Sequence, residues 1–439
     1  MATKLARICL ARPFLRTLST APPSHLTLLG QQYPTDSITN ISPTIISKLP
    51  LRLHTQPFHP LNTLRTLIES HFPDYAHLSS FSPLVTPYKN FDELSFPTDH
   101  PGRSVADSYY VNKDLMLRTH TSAHEIDVFR SGKTKWLLTA DVYRRDEIDG
   151  SHYPVFHQME GARIFSSDAS GMKEVEEDNA RLSQHLSQSN ILIEDILHIT
   201  PTNPAQPSHD PRHSELVAVN LKLSLNSLLL HLFAGVAGAS KEEPLRVRWI
   251  EAYFPFTSPS YEVEVFFRGK WLEILGCGVV GQATLDRADV PHKMGWAFGL
   301  GLERISMILN SIPDIRLFWS TDPRFLSQFS NTDRKISTFK PYSKYPSCFK
   351  DVSFWLPLGE DNKKIHENDL CDLVRDVAGD LVEDVKMIDS FRHPKNNRTS
   401  LCYRINYRSM DKSLSNEETN ALHSGVVSRL QDQFRVEIR

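Results

Sequence analysis

The stretch HYPVFHQMEG contains the residue types that point most clearly to chemistry. Alternate residues of a β-strand share a face, so Phe156, Gln158 and Glu160 would point the same way. Arg144 lies on the preceding strand-like segment and would reach the same surface if Asp149 sits in a hairpin loop between the two strands. A ring, an amide, a carboxylate and a guanidinium on one surface suit a ligand with a flat ring, an ammonium and a phosphate.

Two other interpretations of this stretch remain open. His152 and His157, with Glu160, could bind a metal ion, but residues five apart on a strand face opposite sides unless Pro154 bends the chain. Alternatively, the strand is a polar part of the core, where Arg144 and Glu160 would be buried as a pair. Burying such a pair is costly, so we favour the ligand-binding surface.

Two further stretches contain groups that could bind an anion or a cation. GWAFGLGLER predicts a glycine-containing strand that leads into a helix, with Arg304 in the first turns, where an anion is favoured. It is not a dinucleotide-binding fingerprint, because the third glycine and a surrounding βαβ unit are missing. In WLEILGCG, Glu273 stands alone among apolar residues ahead of Gly276, which favours a cation or metal partner.

Aromatic and hydroxyl residues complete the set of candidates. Phe254 and Phe256 in EAYFPF are two residues apart and would share one strand face. They form either ordinary core packing or a slot for an aromatic ligand. The stretch THTSAHE, residues 119–125, brings hydroxyl and imidazole groups together, although alone it indicates little.

A sheet flanked by helices is needed to hold these residues. Apolar periodicity predicts helices over 59–72, 171–190 and 215–233, with strands dominating 110–165 and 247–281. Gly269 allows the tight turn of a hairpin within the second strand region.

The C-terminal hundred residues read as strand, helix, strand, strand, helix, strand. The two helices of this region are predicted over about 367–384 and 415–434, and Ser415 and Glu418 form a capping box at the start of the second. This βαββαβ order predicts a ferredoxin-like domain and, with the first part, an α+β protein. The predicted organisation is a presequence at 1–22, a catalytic domain at 45–318, a linker at 319–339 and the ferredoxin-like domain at 340–439.

Composition excludes several classes of protein. The chain has 439 residues and a net charge of −3, so a nucleic-acid site must come from a local arrangement of charges. Five cysteines without a C-x-x-C pair argue against a zinc ribbon and a disulfide framework. No apolar stretch is expected to reach membrane-spanning length. The first 20 residues contain four basic and no acidic residues, which is typical of a mitochondrial transit peptide, although a disordered basic tail is the alternative.

Several of these stretches together resemble a known family. DVYRRDEIDGSHYPVFHQMEG resembles motif 2, and GLGLERISMIL motif 3, of the class II aminoacyl-tRNA synthetases. THTSAHE, HYPVFHQMEG, YFPFTSPSYEVEV and ILGCGVV, in this order, are similar to the phenylalanyl-tRNA synthetases. The resemblance covers about residues 50–439, and the single-chain layout is similar to the mitochondrial form. Motif 1 cannot be placed, which fits a monomer because that motif usually builds a dimer interface.

The resemblance implies roles at the nucleotide end of a pocket. Arg144 matches the arginine that binds the α-phosphate of ATP, Phe156 the ring on which adenine stacks, and Arg304 the arginine on the other side of the adenine. Glu273 matches a carboxylate near Mg²⁺–ATP. The motif 2 loop near ATP and the tRNA end corresponds to Ser151, His152 and Tyr153.

At the amino-acid end, the resemblance implies that Phe254 and Phe256 pack on the phenylalanine ring and that Gln158 and Glu160 receive its ammonium. The remaining pocket positions implied are Ser122, Ala123, His124, Glu125, Met159, Gly276 and Phe298. Many relatives have glutamine where this chain has Glu125, and a carboxylate can accept but not donate a hydrogen bond.

The implied activity is ATP-dependent attachment of phenylalanine to mitochondrial tRNA(Phe) in the matrix. It proceeds through a phenylalanyl-adenylate and ends at the 2′-hydroxyl of the terminal ribose. The implied cofactor is Mg²⁺ with ATP, without zinc, and neither an editing domain nor a membrane partner is expected. The rival classes are a non-catalytic RNA-binding protein, which would lack the motif 2 or motif 3 arginine, and a metal-dependent hydrolase, which would need clustered ligands.

The C-terminal domain offers a candidate RNA surface in LCYRINYRSMDK. Its arginines would lie on one strand face and its tyrosines on the other, where exposed tyrosines could stack on bases. A solvated strand face over a core is the alternative. The candidate tRNA-binding residues are Arg392, Lys395, Arg398, Arg404 and Arg408.

Overall fold

The computed structural model describes residues 24–330, 336–341, 345–357, 365–394 and 397–439. The predicted presequence and Lys395 lie outside the described residues.

The larger unit contains thirteen described strands. In chain order they are β1 (His25–Leu28), β2 (Gln31–Pro34), β3 (Ala76–Leu78), β4 (Leu84–Val85), β5 (Tyr110–Asn112), β6 (Leu115–Leu117), β7 (Lys135–Tyr143), β8 (Val155–Ser166), β9 (Ile191–Glu194), β10 (Leu245–Glu251), β11 (Thr257–Phe267), β12 (Lys270–Val280) and β13 (Lys293–Gly301). Its helices are α1 (Pro43–Lys48), α2 (Pro60–His71), α3 (Pro87–Asn90), α4 (Glu125–Arg130), α5 (Ala169–Ser187), α6 (Pro211–Ala237), α7 (Gln282–Arg287), α8 (Leu302–Asn310) and α9 (Pro323–Leu326).

Eight of these strands form the central sheet, in the order β3-β7-β8-β13-β12-β11-β10-β9. The six inner strands pair antiparallel, and the two edge strands pair parallel to their neighbours. The predicted hairpin joins β11 to β12, where Gly269 has a positive φ of 85°. The predicted α+β fold is therefore confirmed.

The helices pack where their apolar stripes predict. In α2, Leu61, Leu64 and Ile68 are fully buried, and α2 contacts α8 and α6. Because α6 is apolar on most of its surface, it lies between α5 and the sheet.

Helix α6 corrects one expectation from the sequence. Over its 27 residues it is long and apolar enough to span a membrane, so the expectation that no stretch reaches this length is wrong. However, 72% of its most apolar window is buried inside the fold. Such burial is what a core helix shows.

The predicted linker is packed rather than exposed. Phe325 in α9, Phe329 and Phe339 are buried and belong to the main hydrophobic core. Residues 331–335 are outside the described part of the chain.

The C-terminal unit has the predicted βαββαβ order. Its elements are β14 (Cys348–Trp355), α10 (Glu367–Ala378), β15 (Val382–Arg392), β16 (Thr399–Tyr407), α11 (Asn416–Phe434) and β17 (Glu437–Ile438). The strands pair in the order β15-β16-β14-β17, all antiparallel. The predicted capping box of α11 is present. Helix α10 is shorter than predicted, because Gly379 at its C-cap has a positive φ of 55° and the chain turns into β15.

The C-terminal unit packs against the loop that joins β7 to β8. Arg145 of this loop forms ion pairs with Asp369 and Asp372 of α10, at 2.8 and 2.5 Å. Ile148, also in the loop, belongs to the C-terminal hydrophobic cluster. Arg316 is buried and donates to the carbonyl oxygen of Val382 at 2.9 Å. The two units therefore share a charged and apolar interface beside the candidate site.

Candidate active site

A cleft of about 670 Å³ lies on one face of the central sheet. Its floor is formed by β8, β13, β12 and β11, and its walls come from the 3₁₀ turn Thr121–His124, the start of α8 and the segment before β11. This volume is in the range of small-molecule sites.

Two carboxylates and two glycines form one row across the cleft floor. Glu160 pairs with Gly299, Gly299 with Gly276, and Gly276 with Glu262 on four successive strands. Directly paired residues share a sheet face, so three strand spacings of about 4.8 Å put the backbones of Glu160 and Glu262 about 14 Å apart. A Cβ atom at Gly299 would meet nothing within 4 Å, so this glycine leaves room above the floor.

An aromatic wall stands over one part of this row. A Cβ atom at Gly276 would lie 2.6 Å from Cζ of Phe254, so this ring lies directly on the glycine. The rings of Phe254 and Phe256 are 6.2 Å apart and stacked, and Phe96 lies 5.8 Å from Phe256. His120 stacks on Phe96 at 5.5 Å. An aromatic ligand would therefore meet aromatic faces here.

Glu160 and Gln158 line the cleft beside this wall. The amide oxygen of Gln158 accepts a hydrogen bond from the backbone N–H of Thr121 at 3.3 Å. Burial raises the pKa of Glu160 to about 7, although hydrogen bonds from the side chains of Thr121 and Ser122 oppose the shift. A cation next to this carboxylate would restore its charge.

Arg144 and Phe156 form the other end of the cleft. The backbone N–H of Arg144 donates to the carbonyl oxygen of Pro154 at 3.0 Å, which continues the β7–β8 ladder. Its Nε donates to the carbonyl oxygen of Thr119 at 2.8 Å, and its guanidinium carbon lies 5.3 Å from the centre of the Phe156 ring. Among the described residues, no carboxylate forms an ion pair with Arg144, so its charge is available to a ligand.

Arg304 lies in the first turn of α8, as predicted. The preceding residue, Glu303, is buried and accepts from the backbone and ring nitrogens of His157 at 2.8 and 2.6 Å, which fixes α8 on β8. Arg304 is exposed and forms an ion pair of 3.4 Å with Glu273. Glu273 thus has a cationic partner, although it is half-exposed and not buried among apolar residues as its sequence context suggested.

Glu273 and Glu262 together suit a divalent cation. Both line the cleft, and burial together with the charge of Glu273 raises the pKa of Glu262. Carboxylate oxygens are the ligands that Mg²⁺ prefers, and a dication would relieve the repulsion between the two groups.

The loop between β7 and β8 has its own hydrogen bonds. Asp149 accepts from Ser151 and from the ring of His152, at 2.9 and 2.7 Å. Partial burial lowers the pKa of His152, but the hydrogen bond to Asp149 and the negative charges of Asp146, Asp149 and Glu147 together raise it above its usual value. Tyr153 stacks on Trp319 and donates to Asp380 of the C-terminal unit at 2.6 Å. Tyr153 therefore belongs to the domain interface as well as to the cleft.

Five predicted pocket residues have side chains that point elsewhere or lie deeper. Ala123 and Met159 are in hydrophobic clusters, and His124 stacks on Phe81. Phe298 borders the cleft, but its ring is buried on the core side against Gly161. The fifth residue, Glu125, is fully buried behind the cleft wall.

The metal interpretation of the opening stretch is wrong. His157 lies on the core face of β8, bound to Glu303, while His152 is in the loop. Within the described ranges, Glu147, Asp149 and His152 form a group of three side chains close enough to hold an ion, but this partly exposed cluster shows no further sign of a ligand.

Sequence reasoning missed several cleft residues, among them Glu262, Phe96 and His120. Glu262 occupies the floor row, and Phe96 and His120 belong to the aromatic wall. His120 lies within the quoted stretch THTSAHE and could have been chosen. Phe96 carries no local signal, because only the fold brings its segment next to Phe256.

The C-terminal arginines are exposed to different degrees and mostly paired. Arg404 binds Asp351 through two hydrogen bonds of 2.8 Å. Arg398 and Arg408 pair with Glu437 and Glu383, at 2.7 and 2.9 Å, and Arg392 is exposed at the end of β15. The expectation of exposed tyrosines is wrong, because Tyr403 and Tyr407 are buried in the C-terminal core.

Comparison with protein families identifies the class. The model described as "tRNA synthetases class II core domain (F)" matches residues 46–170 and 185–329. The model described as "Ferredoxin-fold anticodon binding domain" matches residues 343–439. The fold and the cleft are thus those of a class II aminoacyl-tRNA synthetase core joined to an anticodon-binding domain.

Individual relatives show which family within this class the chain belongs to. The chain is 44% identical to the mitochondrial phenylalanine–tRNA ligase of Saccharomyces cerevisiae, over 97% of each chain. It is 45% identical to that of Mus musculus, over 92% of this chain and 87% of the mouse protein. The phenylalanine–tRNA ligase alpha subunit of Prochlorococcus marinus matches 62% of this chain at 33% identity. The chain belongs to the mitochondrial phenylalanine–tRNA ligase family.

Proposed function

We propose that this protein attaches phenylalanine to mitochondrial tRNA(Phe) in the matrix, at the expense of ATP. The observation that carries the proposal is the combination, in one cleft, of an aromatic slot beside Glu160 with an arginine–aromatic pair, Arg144 and Phe156. The first suits an aromatic amino acid and the second a nucleotide with phosphates.

The first step joins the amino acid to AMP. The phenylalanine ring packs on Phe254 and Phe256, and its ammonium faces Gln158 and Glu160. Its carboxylate attacks the α-phosphorus of ATP, the bond to the β-phosphate oxygen breaks, and pyrophosphate leaves. Arg144 stabilises the charge that grows on the phosphoryl oxygens, so this step depends on positioning and electrostatics rather than on a proton acceptor.

ATP is held by groups at the other end of the cleft. Adenine stacks on Phe156, with Arg304 on its opposite side. Ser151, His152 and Tyr153 of the loop between β7 and β8 lie near the nucleotide and the tRNA end. Glu262 and Glu273 would hold Mg²⁺, which supplies charge neutralisation to the phosphates when it is bound. We expect no zinc in the purified protein, and elemental analysis would test this.

The second step transfers phenylalanine to tRNA. The 2′-hydroxyl of the terminal ribose attacks the carbonyl carbon of the adenylate, the bond to the phosphate oxygen breaks, and AMP leaves. A tRNA that ends in 2′-deoxyadenosine should not accept phenylalanine, whereas one that ends in 3′-deoxyadenosine should. The reverse result would contradict this choice of hydroxyl.

The C-terminal unit contacts the tRNA. Arg392 is exposed, and Arg398, Arg404 and Arg408 would exchange carboxylate partners for phosphates. Affinity for tRNA should therefore fall as salt rises, and sedimentation should show a single chain. Lys395 stays in the predicted set, although it lies outside the described residues.

The experiment that tests the proposal is ATP–pyrophosphate exchange with each of the twenty amino acids. Exchange driven by phenylalanine, and weakly by tyrosine, supports it. A folded, Mg²⁺-supplied sample that exchanges with no amino acid would favour a non-catalytic RNA-binding protein instead.

A further inference from the structure

A second buried carboxyl group lies behind the wall of the amino-acid slot. Glu125 is the first residue of α4 and is 1% exposed, and Glu160 is 3% exposed. Glu160 lines the cleft, whereas Glu125 does not. Neither carboxylate oxygen of Glu125 has a hydrogen-bond partner among the described residues, and neither does Oε2 of Glu160.

Among the described residues, no group around Glu125 offers it a counter-charge. Burial is the main factor that raises its pKa, and the charge of Glu160 raises it further. On the preceding turn, burial lowers the pKa of His120 and of His124 to about 3, so both rings are neutral. The nearby Arg118 is committed to a carboxylate of β7 at 2.7 Å.

Two carboxylates without a shared cation cannot both stay ionised in a buried site. Glu160 has hydrogen bonds from Thr121 and Ser122 and contact with the cleft, so it is the member of the pair that ionises first. Glu125 has neither, so it retains its proton.

Three carboxylate oxygens of this pair have no hydrogen-bond partner among the described residues, and of the two residues Glu160 is the one that borders the cleft. From these two observations we infer that Glu125 is a permanently protonated positioning residue. The pair then presents one negative charge to the substrate ammonium. The neutral carboxyl group of Glu125 can also donate a hydrogen bond, which a carboxylate could not. The inference rests on the proposed function where it names the ammonium, but the protonation of Glu125 does not depend on it.

One consequence is that ligand binding is linked to a proton. Below a pH of about 7, the free protein holds a proton on Glu160 as well as on Glu125. An arriving ammonium favours the Glu160 carboxylate and expels that proton. With a pKa of about 7, the release should be about three quarters of a proton per bound phenylalanine at about pH 6.5, and almost none at about pH 8.5.

The direct test is pH-difference infrared spectroscopy of the full chain without ligands. We expect two protonated-carboxyl bands in the acidic sample. One should disappear with a midpoint of about 7 and be missing from Glu160→Gln. The other should persist in the wild type at a pH at which the first has disappeared, and be missing from Glu125→Gln. A wild-type spectrum at that pH without a band that Glu125→Gln removes would overturn the inference.

The second test needs no variant, so it remains valid if Glu125→Gln fails to fold. Phenylalanine binding to the wild-type protein is measured by calorimetry in buffers of different ionisation enthalpy. Proton release that falls between about pH 6.5 and 8.5 supports the inference, and the same release at both pH values contradicts it. Failure of phenylalanine to bind at all would instead count against the proposed function, and the infrared result would still decide the state of Glu125.

Discussion

The two ends of the cleft are built in different ways. At the amino-acid end, Phe254 rests on Gly276 and Glu160 is almost fully buried. At the nucleotide end, the side chains of Arg304 and Glu273 are 59% and 52% exposed and bind each other. The first end is therefore complete in the free protein, whereas the second must exchange an internal ion pair for its ligand.

This difference matches the ligands proposed for each end. A small amino acid has few groups by which it can be distinguished, so a pocket for it must be held rigidly before binding. A polyphosphate carries enough charge to reorder exposed arginines when it binds. Rigid packing thus serves selectivity at one end, and mobile charge serves affinity at the other.

The largest expected effect comes from the one arginine at the nucleotide end that has no carboxylate partner among the described residues. Arg144→Ala should lower kcat for phenylalanine-dependent pyrophosphate exchange by about 10²–10³, the scale for one transition-state donor. The exposed Arg212 at the start of α6 provides a matched control, since Arg212→Ala should change kcat less than about twofold. If Arg144→Ala catalysed pyrophosphate exchange at close to the wild-type rate, Arg144 would not stabilise the transition state.

Activation of tyrosine measures how strictly the amino-acid end of the cleft selects phenylalanine. An apolar aromatic slot rejects an added hydroxyl by only about 10², so tyrosine should be activated measurably. The test is kcat/KM for exchange with each amino acid. A ratio well beyond about 10⁴ would mean that the slot is not a simple apolar surface. We expect no editing domain to remove the product, and hydrolysis of tyrosyl-tRNA by the protein would contradict that expectation.

Gly276→Ala tests whether the floor positions the aromatic wall. The new Cβ atom would lie 2.6 Å from Cζ of Phe254, so the ring must move. KM for phenylalanine should rise by about tenfold, while KM for ATP changes less than about twofold. Gly235→Ala in α6, where a Cβ atom meets nothing, is the control. Equal rises in both KM values would show that the ends are not independent.

Salt should produce the smallest effect. Because the Arg304–Glu273 pair is exposed, added salt screens its interactions more than those of buried Glu160. From low to physiological ionic strength, KM for ATP should rise by about two- to threefold and KM for phenylalanine by less. If KM for phenylalanine rose more than KM for ATP, the amino-acid end would be the more salt-sensitive end of the cleft, which contradicts the comparison.

Local patterns predicted one side of the site well. Strand alternation is a property of neighbouring residues, and it placed Phe156, Gln158 and Glu160 on one face and Met159 on the other, although the family resemblance put Met159 in the pocket. The same alternation separated Arg404 from Tyr403, but it could not tell which face is solvent-exposed.

Contacts between distant segments could not be read from the sequence. Phe96 reaches Phe256 only through the fold. The pairing of Arg145 with α10 joins two domains that sequence reasoning treated separately. The buried state of α6 depends on the sheet beneath it, whereas its length and apolar character alone would also fit a membrane span.

The most direct test of the two-ended cleft is to trap its product. The wild-type protein is mixed with phenylalanine, Mg²⁺ and α-labelled ATP, without tRNA, and the bound label is identified after rapid filtration. We expect about one phenylalanyl-adenylate per chain, and none with Arg144→Ala in the same time. If wild-type protein binds both ligands but forms adenylate only after tRNA is added, the claim that the free cleft already unites both ends is contradicted.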